Sequence, residues 1–216
     1  MKYCSIDVET TGLLDEPDAR VWQIACTIED TSKETPIVDL PTINFYVTYE
    51  DGGFYWSNGA LEMNIKNFYR YLKTSEGVLD ESSMATFATN TKFIGKYGRD
   101  QVREFVYAFL SYHFAGEKIL FAGKNVGSFD IPFCKECGVL PQKMKAAVRY
   151  LDPSSGFIQS GDKLPPSLDE CINRIPQEFK DAQEMGDLKN SHDALDDVQC
   201  VILAFRYLQS IGKVTF

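Results

Sequence analysis

Positive charge is scarce in this chain. Lysine and arginine together number 22 against 31 aspartates and glutamates, a net charge of −9. That balance argues against a broad basic surface of the kind that grips duplex nucleic acid without regard to sequence. It leaves room for a protein that meets nucleic acid through bound cations, which supply the local positive field themselves. Long apolar runs are missing too, and none approaches the ~18 residues of a membrane span. The first residues, Met1-Lys2-Tyr3-Cys4, lead straight into a strand pattern and not into a signal peptide, so a cytoplasmic protein with no membrane partner is expected. Of six cysteines only Cys134 and Cys137 have the spacing of zinc ligands, and no second such pair or histidine pair exists to complete a four-ligand site. Reduced thiols are expected. Histidine occurs only twice, at His113 and His192.

What is present is the composition of a globular protein, 44% apolar and 25% charged over 216 residues, enough for one substantial core. No repeat, low-complexity tract or linker divides it, so a single domain over residues 1–216 is expected. Residues 2–8, 21–28 and 43–49 read as strands, and three in succession without a helix predict an antiparallel meander. Residues 99–114 switch to the helical period. There Val102, Phe105, Val106, Phe109, Leu110 and His113 form one stripe, which makes His113 a half-buried packing residue. A buried strand over 118–122, a glycine-bearing loop and a helix from about Phe129 follow, with Pro132 acceptable in its first turn. Residues 147–151 read as a fifth strand, 152–190 as irregular with a short helix near 167–174, and 192–211 as the last helix. The fold class is α/β: a mixed β-sheet, three antiparallel strands then parallel strands, flanked by helices.

Carboxylates gather where the buried elements end. Asp7 and Glu9 point to the same face of the first strand, with Cys4, Ile6 and Val8 on the other. Their Cα atoms are ~6.7 Å apart, a spacing from which both can converge on one divalent cation. Without something positive between them, two such charges repel and are costly to desolvate. In the last helix, Ala194, Val198, Val201, Phe205 and Leu208 form the apolar stripe. Asp197 lies about 60° from its middle and Asp196 about 160° away, so Asp197 faces the strand ends and Asp196 faces water. Asp193 is intermediate and is explained by the helix dipole. His192, held in that helix, would point roughly 140° from Asp197. It reaches the same site only from a non-helical lead-in, with Ser191 or Asn190 as N-cap. There an imidazole stands beside a metal site without being a ligand, where a general base is wanted. Asp130, after a buried strand and at a helix start, offers a fourth carboxylate. Taken singly, each has a plain reading: solvated strand-end acids, a dipole-satisfying aspartate, a loop histidine.

Together these stretches resemble the DEDDh family of 3′-to-5′ exonucleases, the group that includes the proofreading exonuclease of bacterial DNA polymerase III, ribonuclease T and oligoribonuclease. Asp7-Val8-Glu9-Thr10-Thr11-Gly12-Leu13 matches the family's DxETTGL motif throughout. Asn125 with Phe129-Asp130 matches the second motif, and His192, Ala194 and Asp197 match the third, HxAxxD. Residues 57–64 and 166–175 are similar to neighbouring family segments. The stretch 74–98 matches nothing assigned, and Lys124-Asn125 stands where the family has His-Asn.

The resemblance implies a ribonuclease-H-like fold that hydrolyses phosphodiester bonds from a free 3′ end, releasing nucleoside 5′-monophosphates with two Mg2+ or Mn2+ ions. Hard oxygen ligands suit those ions, and a set without Cys or a second His argues against zinc. It further implies that Asp7, Glu9 and Asp197 hold the ion that activates water. Asp7 would be shared with a second ion that Asp130 assists, and His192 would deprotonate the nucleophile. The Thr10 and Thr11 backbone, Gly12, Leu13, Asn125 and Phe129 would contact the terminal nucleotide, Leu13 packing against its base. Phe54-Tyr55-Trp56 reads either as a stacking surface for single strands or as aromatics wedged against the core. Single-stranded DNA is expected ahead of RNA or short oligoribonucleotides, because Thr10-Thr11 after Glu9 leans toward the DNA-acting members. A non-catalytic nucleic-acid-binding module of the same fold has no need of four carboxylates that only cations relieve. A polymerase partner and a homodimer both stay open.

Overall fold

A computed structural model of the chain describes residues 1–77, 92–189 and 191–215. The expected meander is there. Strands β1 (Lys2–Thr10), β2 (Val21–Asp30) and β3 (Thr42–Thr48) pair antiparallel in succession. β4 (Lys92–Gly98) adds parallel to β3 and β5 (Phe121–Ala122) parallel to β1, giving a mixed sheet ordered β4-β3-β2-β1-β5.

Both faces of the sheet are covered, and the period of two along β1 sorts its side chains between them. Cys4, Ile6 and Val8 enter a core shared with helices α2 (Arg99–Phe114) and α3 (Asp130–Glu136). Tyr3, on the other face, packs with helices α4 (Leu168–Asn173) and α6 (Ala194–Ser210). The α2 stripe is buried from Val102 to Leu110, and His113 is half-buried against the rings of Phe109 and Tyr112. In α6 burial reaches beyond the expected stripe to Cys200, Ile202, Leu203 and Ala204, because the helix is sandwiched between the sheet and α4. Each large apolar side chain so buried contributes about 1.5–3 kcal/mol.

Several elements depart from the sequence reading. Helix α1 (Asn58–Lys73), capped by Ser57, has no apolar stripe that marks its packed face. That face carries Ala60, Asn64, Asn67 and Tyr71, while Leu61, Ile65, Tyr69 and Leu72 stay exposed at i, i+4, i+8 and i+11. β4 falls in the unassigned stretch 74–98, of which residues 78–91 lie outside the described residues. It is an edge strand with Lys92 and Ile94 exposed, so its alternation is weak. Helix α5 (Gln177–Ala182), which precedes α6, buries no residue and so leaves no periodic signal. Residues 147–151 do not form the expected fifth strand. The segment touches the sheet edge through single bridges at Ala146 and Leu151, with Val148 92% exposed between them. Among the described residues no helix is long and apolar enough to cross a membrane.

Candidate active site

β1 carries Asp7 and Glu9 to the end of the sheet, where Glu9 sits opposite Gln23 of β2. The register shifts between Glu9 and Thr10, and such an irregularity re-aims the end of a strand. On its other edge β1 pairs with β5 only at Cys4 and Ser5. The amide of Val8 therefore faces an open edge and donates to Oδ1 of Asp130 at 3.1 Å. Asp130 opens α3, and the chain reaches it by turning close under β1 at Gly123. A Cβ on Gly123 would stand 2.9 Å from the carbonyl oxygen of Ile6, so the turn needs glycine.

The first turn of α6 carries Asp196 and Asp197. Asp197 is buried and accepts from the Ser191 amide at 3.3 Å. Asp196 does not border the site, as the helix phase predicts, but it does not face open water either. It is half-buried and accepts from Ser191 Oγ at 2.6 Å. Ser191 is not the N-cap, and Asn190 lies outside the described residues. The cap is Asp193, whose carboxylate accepts from the Leu195 amide, from Gln23 Nε2 at 3.0 Å and from Arg70 at 2.9 Å. Asp193 thus sits at the helix start as the dipole reading expects, but it is buried and ion-paired besides. His192 precedes it outside the helix, with φ of 52°.

Asp7, Glu9, Asp130, Asp197 and His192 border one cleft of about 690 Å³, together with Thr10, Gly12, Leu13, Asn125 and Phe129. Thr11 does not line it. Its side chain is buried and accepts from the Arg20 amide, its own amide donates to Arg20, and its carbonyl accepts from Ser57. Thr11 is a fastener between the loop after β1, β2 and the start of α1. The reading of single residues missed the contribution of α1, which supplies Ala60, Met63 and Asn64 to the cleft wall. The likeness of residues 57–64 to a family segment was the one signal. Leu13 and Met63, each more than half exposed, give the cleft an apolar rim. Of the aromatic tripeptide, Phe54 and Trp56 pack with Trp22, Phe68 and Tyr71, and only Tyr55 stands out into solvent.

The electrostatics of the cleft are those of acids without counter-charge. Burial raises the Asp7 carboxyl well above its ordinary range, and Asp130, Asp197 and Glu9 add to the effect. Glu9 is raised likewise by burial and then by Asp197 and Asp193, against a hydrogen bond from Asn64. Burial lifts Asp130 and Asp197 to about 7 each. Lys124 is the one lysine or arginine among the described residues lining the cleft, and its ammonium is turned to Ser154 Oγ at 2.9 Å and to Asp152. Four hard oxygen donors with no organic cation between them fit divalent ions such as magnesium or manganese. Glu9, His192 and Asp197 place one candidate ligand atom each within 4.8 Å of one another. A larger depression of about 820 Å³ lies elsewhere, but its arginines are already paired, Arg20 with Asp51 and Arg99 with Asp100.

No protein-family model and no curated protein matches the sequence. Solved structures do. The nuclease domain of 3'hExo, described as a DEDDh family member bound to rAMP, superposes with a TM-score of 0.58 at 15% identity, over 99% of this chain and 94% of that one. Cell-death related nuclease 4 (CRN-4) gives 0.55 at 14% identity, over 98% of this chain and 64% of that one. Exonuclease I of E. coli, in complex with a dT13 oligonucleotide, gives 0.55 at 14%, over 98% of this chain and 41% of that one. The chain therefore spans under two thirds of the length of the latter two. It has the ribonuclease-H-like α/β fold of the DEDDh exonucleases.

Proposed function

We propose that residues 1–216 act as a single domain, a metal-dependent 3′-to-5′ exonuclease that releases nucleoside 5′-monophosphates, with single-stranded DNA as its preferred substrate. The observation that carries this reading is the convergence of Asp7, Glu9, Asp130, Asp197 and His192 on one cleft with no free protein cation beside them among the described residues. Asp7, Glu9 and Asp197 would hold one divalent ion, and Asp7 with Asp130 a second. When bound, such a pair stabilises the charge on the attacking and leaving oxygens of an in-line displacement. His192 takes the proton of the attacking water, a task suited to an imidazole near neutral pH. Leu13 and Met63 on the rim offer apolar surface to the terminal base, and the exposed Tyr55 ring offers a stacking partner further out. The oligonucleotide bound to E. coli exonuclease I supports the choice of single-stranded DNA. The rAMP bound to 3'hExo supports the second reading, an exoribonuclease, whose selectivity would rest on contacts to the 2′-hydroxyl.

The test is degradation of 3′-labelled and 5′-labelled single-stranded DNA, duplex DNA and RNA, with magnesium and with excess EDTA. Mononucleotides released from the 3′ end of single strands, only with metal, are expected. Digestion that persists in EDTA or begins at 5′ ends would sink the reading.

A further inference from the structure

The histidine of the cleft is the one member of the set that no regular element holds. His192 sits in a short lead-in before α6 and adopts a left-handed backbone, φ 52°, that side chains other than glycine rarely take. Something must hold it there: Ser191 beside it is tied to Asp196 and Asp197 of α6, and further contacts come from α1. Asn67 Nδ2 donates to the carbonyl of Ser191 at 2.9 Å and to that of His192 at 2.5 Å. One turn on, Arg70 Nη1 meets Asp193 Oδ2 at 2.9 Å, and Gln23 of β2 takes the other carboxylate oxygen at 3.0 Å. The carbonyls of Ser191 and His192 and the carboxylate that follows are thus gripped by one helix face. That explains why the packed face of α1 carries asparagine where a core helix would carry apolar residues.

We propose that Asn67 and Arg70 are positioning residues for His192, fixing the lead-in so that the imidazole stands beside Glu9 and Asp197. The inference rests on the exonuclease reading, in which His192 carries the proton. Neither residue lines the cleft, so neither is expected to touch the substrate or the metal. Losing the grip lets the lead-in relax toward ordinary backbone angles, and the imidazole moves off the attack line. Displacements of about an ångström at a reacting group cost up to ~10²-fold in rate.

The experiment is a double-mutant cycle on kcat, with wild type, Asn67→Ala, His192→Ala and the double variant followed under steady-state conditions. Asn67→Ala is expected to lower kcat by roughly 10- to 100-fold while KM and the magnesium needed for half-activation stay within about twofold, since uniform binding is untouched. In the His192→Ala background the same change should cost almost nothing, because the group it positions is gone. A loss of equal size in both backgrounds would show that Asn67 acts on the fold at large and would overturn the proposal. Arg70→Met and Arg70→Lys run through the same cycle decide the matter if Asn67→Ala does not fold. Lysine, which keeps a cationic donor for Asp193, should recover most of the rate and methionine should not; equal rates for the two would count against the grip. A wild-type protein that cleaves nothing with metal takes down the exonuclease reading and this proposal together. Active wild type with an additive cycle removes this proposal alone.

Discussion

The acid half and the base half of the cleft are held by different physics. Asp7 and Glu9 stand on a strand paired antiparallel with β2 on one edge and parallel with β5 on the other, Asp130 begins a helix and accepts from β1, and Asp197 lies on the buried side of α6. To move any of them, core packing must be disturbed. His192 stands on a lead-in with a left-handed backbone, held by side-chain hydrogen bonds from a helix whose apolar stripe faces solvent. The difference teaches that the groups which must tolerate mutual repulsion are anchored by the core. His192, which on the proposed reading takes a proton from water, is anchored by a few polar bonds, each worth about 0.5–1.5 kcal/mol net.

The largest effects should fall on the acid half. Asp197→Ala should abolish turnover, whereas Asp196→Ala, which removes only the partner of Ser191 Oγ, should leave it within a few fold. Comparable losses in side-by-side rate measurements would mean that the two faces of α6 have been misassigned. On the base half, His192→Ala should lower the rate by ~10²–10⁴ and leave the magnesium requirement unchanged. If saturating magnesium restores the rate, the imidazole is a ligand, as its distance to Glu9 and Asp197 would also permit.

A smaller effect concerns stability. The cleft carboxyls are raised in the folded protein, Asp130 and Asp197 to about 7 from an ordinary 3.8. Groups raised on folding favour the native state while protonated, and that contribution is lost as pH climbs from about 4 to about 7. The metal-free protein should therefore bear its buried charge in full at pH 8, where magnesium should raise the melting midpoint more than at pH 5. Equal gains at the two pH values would place the metal elsewhere. The smallest effect belongs to neither half. Burial depresses His113 to about 4 from 6.5, and its Nε2 has no partner among the described residues. A base depressed on folding contributes stability that is present above 6.5 and lost as pH falls toward 4. His113→Phe should reduce acid sensitivity in that window, and an unchanged difference between the two unfolding curves would refute the assignment.

The same two halves differ in how legible they were. The acids could be placed from the sequence because their positions follow from fixed periods, two along β1 and 3.6 along α6, and both periods are written in neighbouring apolar residues. The helical phase separated Asp197 from Asp196 for that reason. The support of His192 was hidden. Asn67 and Arg70 lie 125 and 123 residues from the atoms they hold, and α1 buries its polar face, so hydrophobic patterning points to the wrong side of the helix. Thr11 misled in the same way, for its motif position says nothing of whether its amide meets a ligand or Arg20.

By itself, then, the sequence determined the meander, the buried helices α2 and α6, and the residue types at the cleft, because local period and motif spacing suffice for these. The tertiary structure decided what each of those residues is tied to. Asp193 became an ion-paired cap, Thr11 a fastener, and β5 a strand of only two residues that leaves the Val8 amide open for Asp130. Hydrogen bonds and ion pairs between residues of different elements leave no periodic trace, since their geometry exists only once the layers have packed.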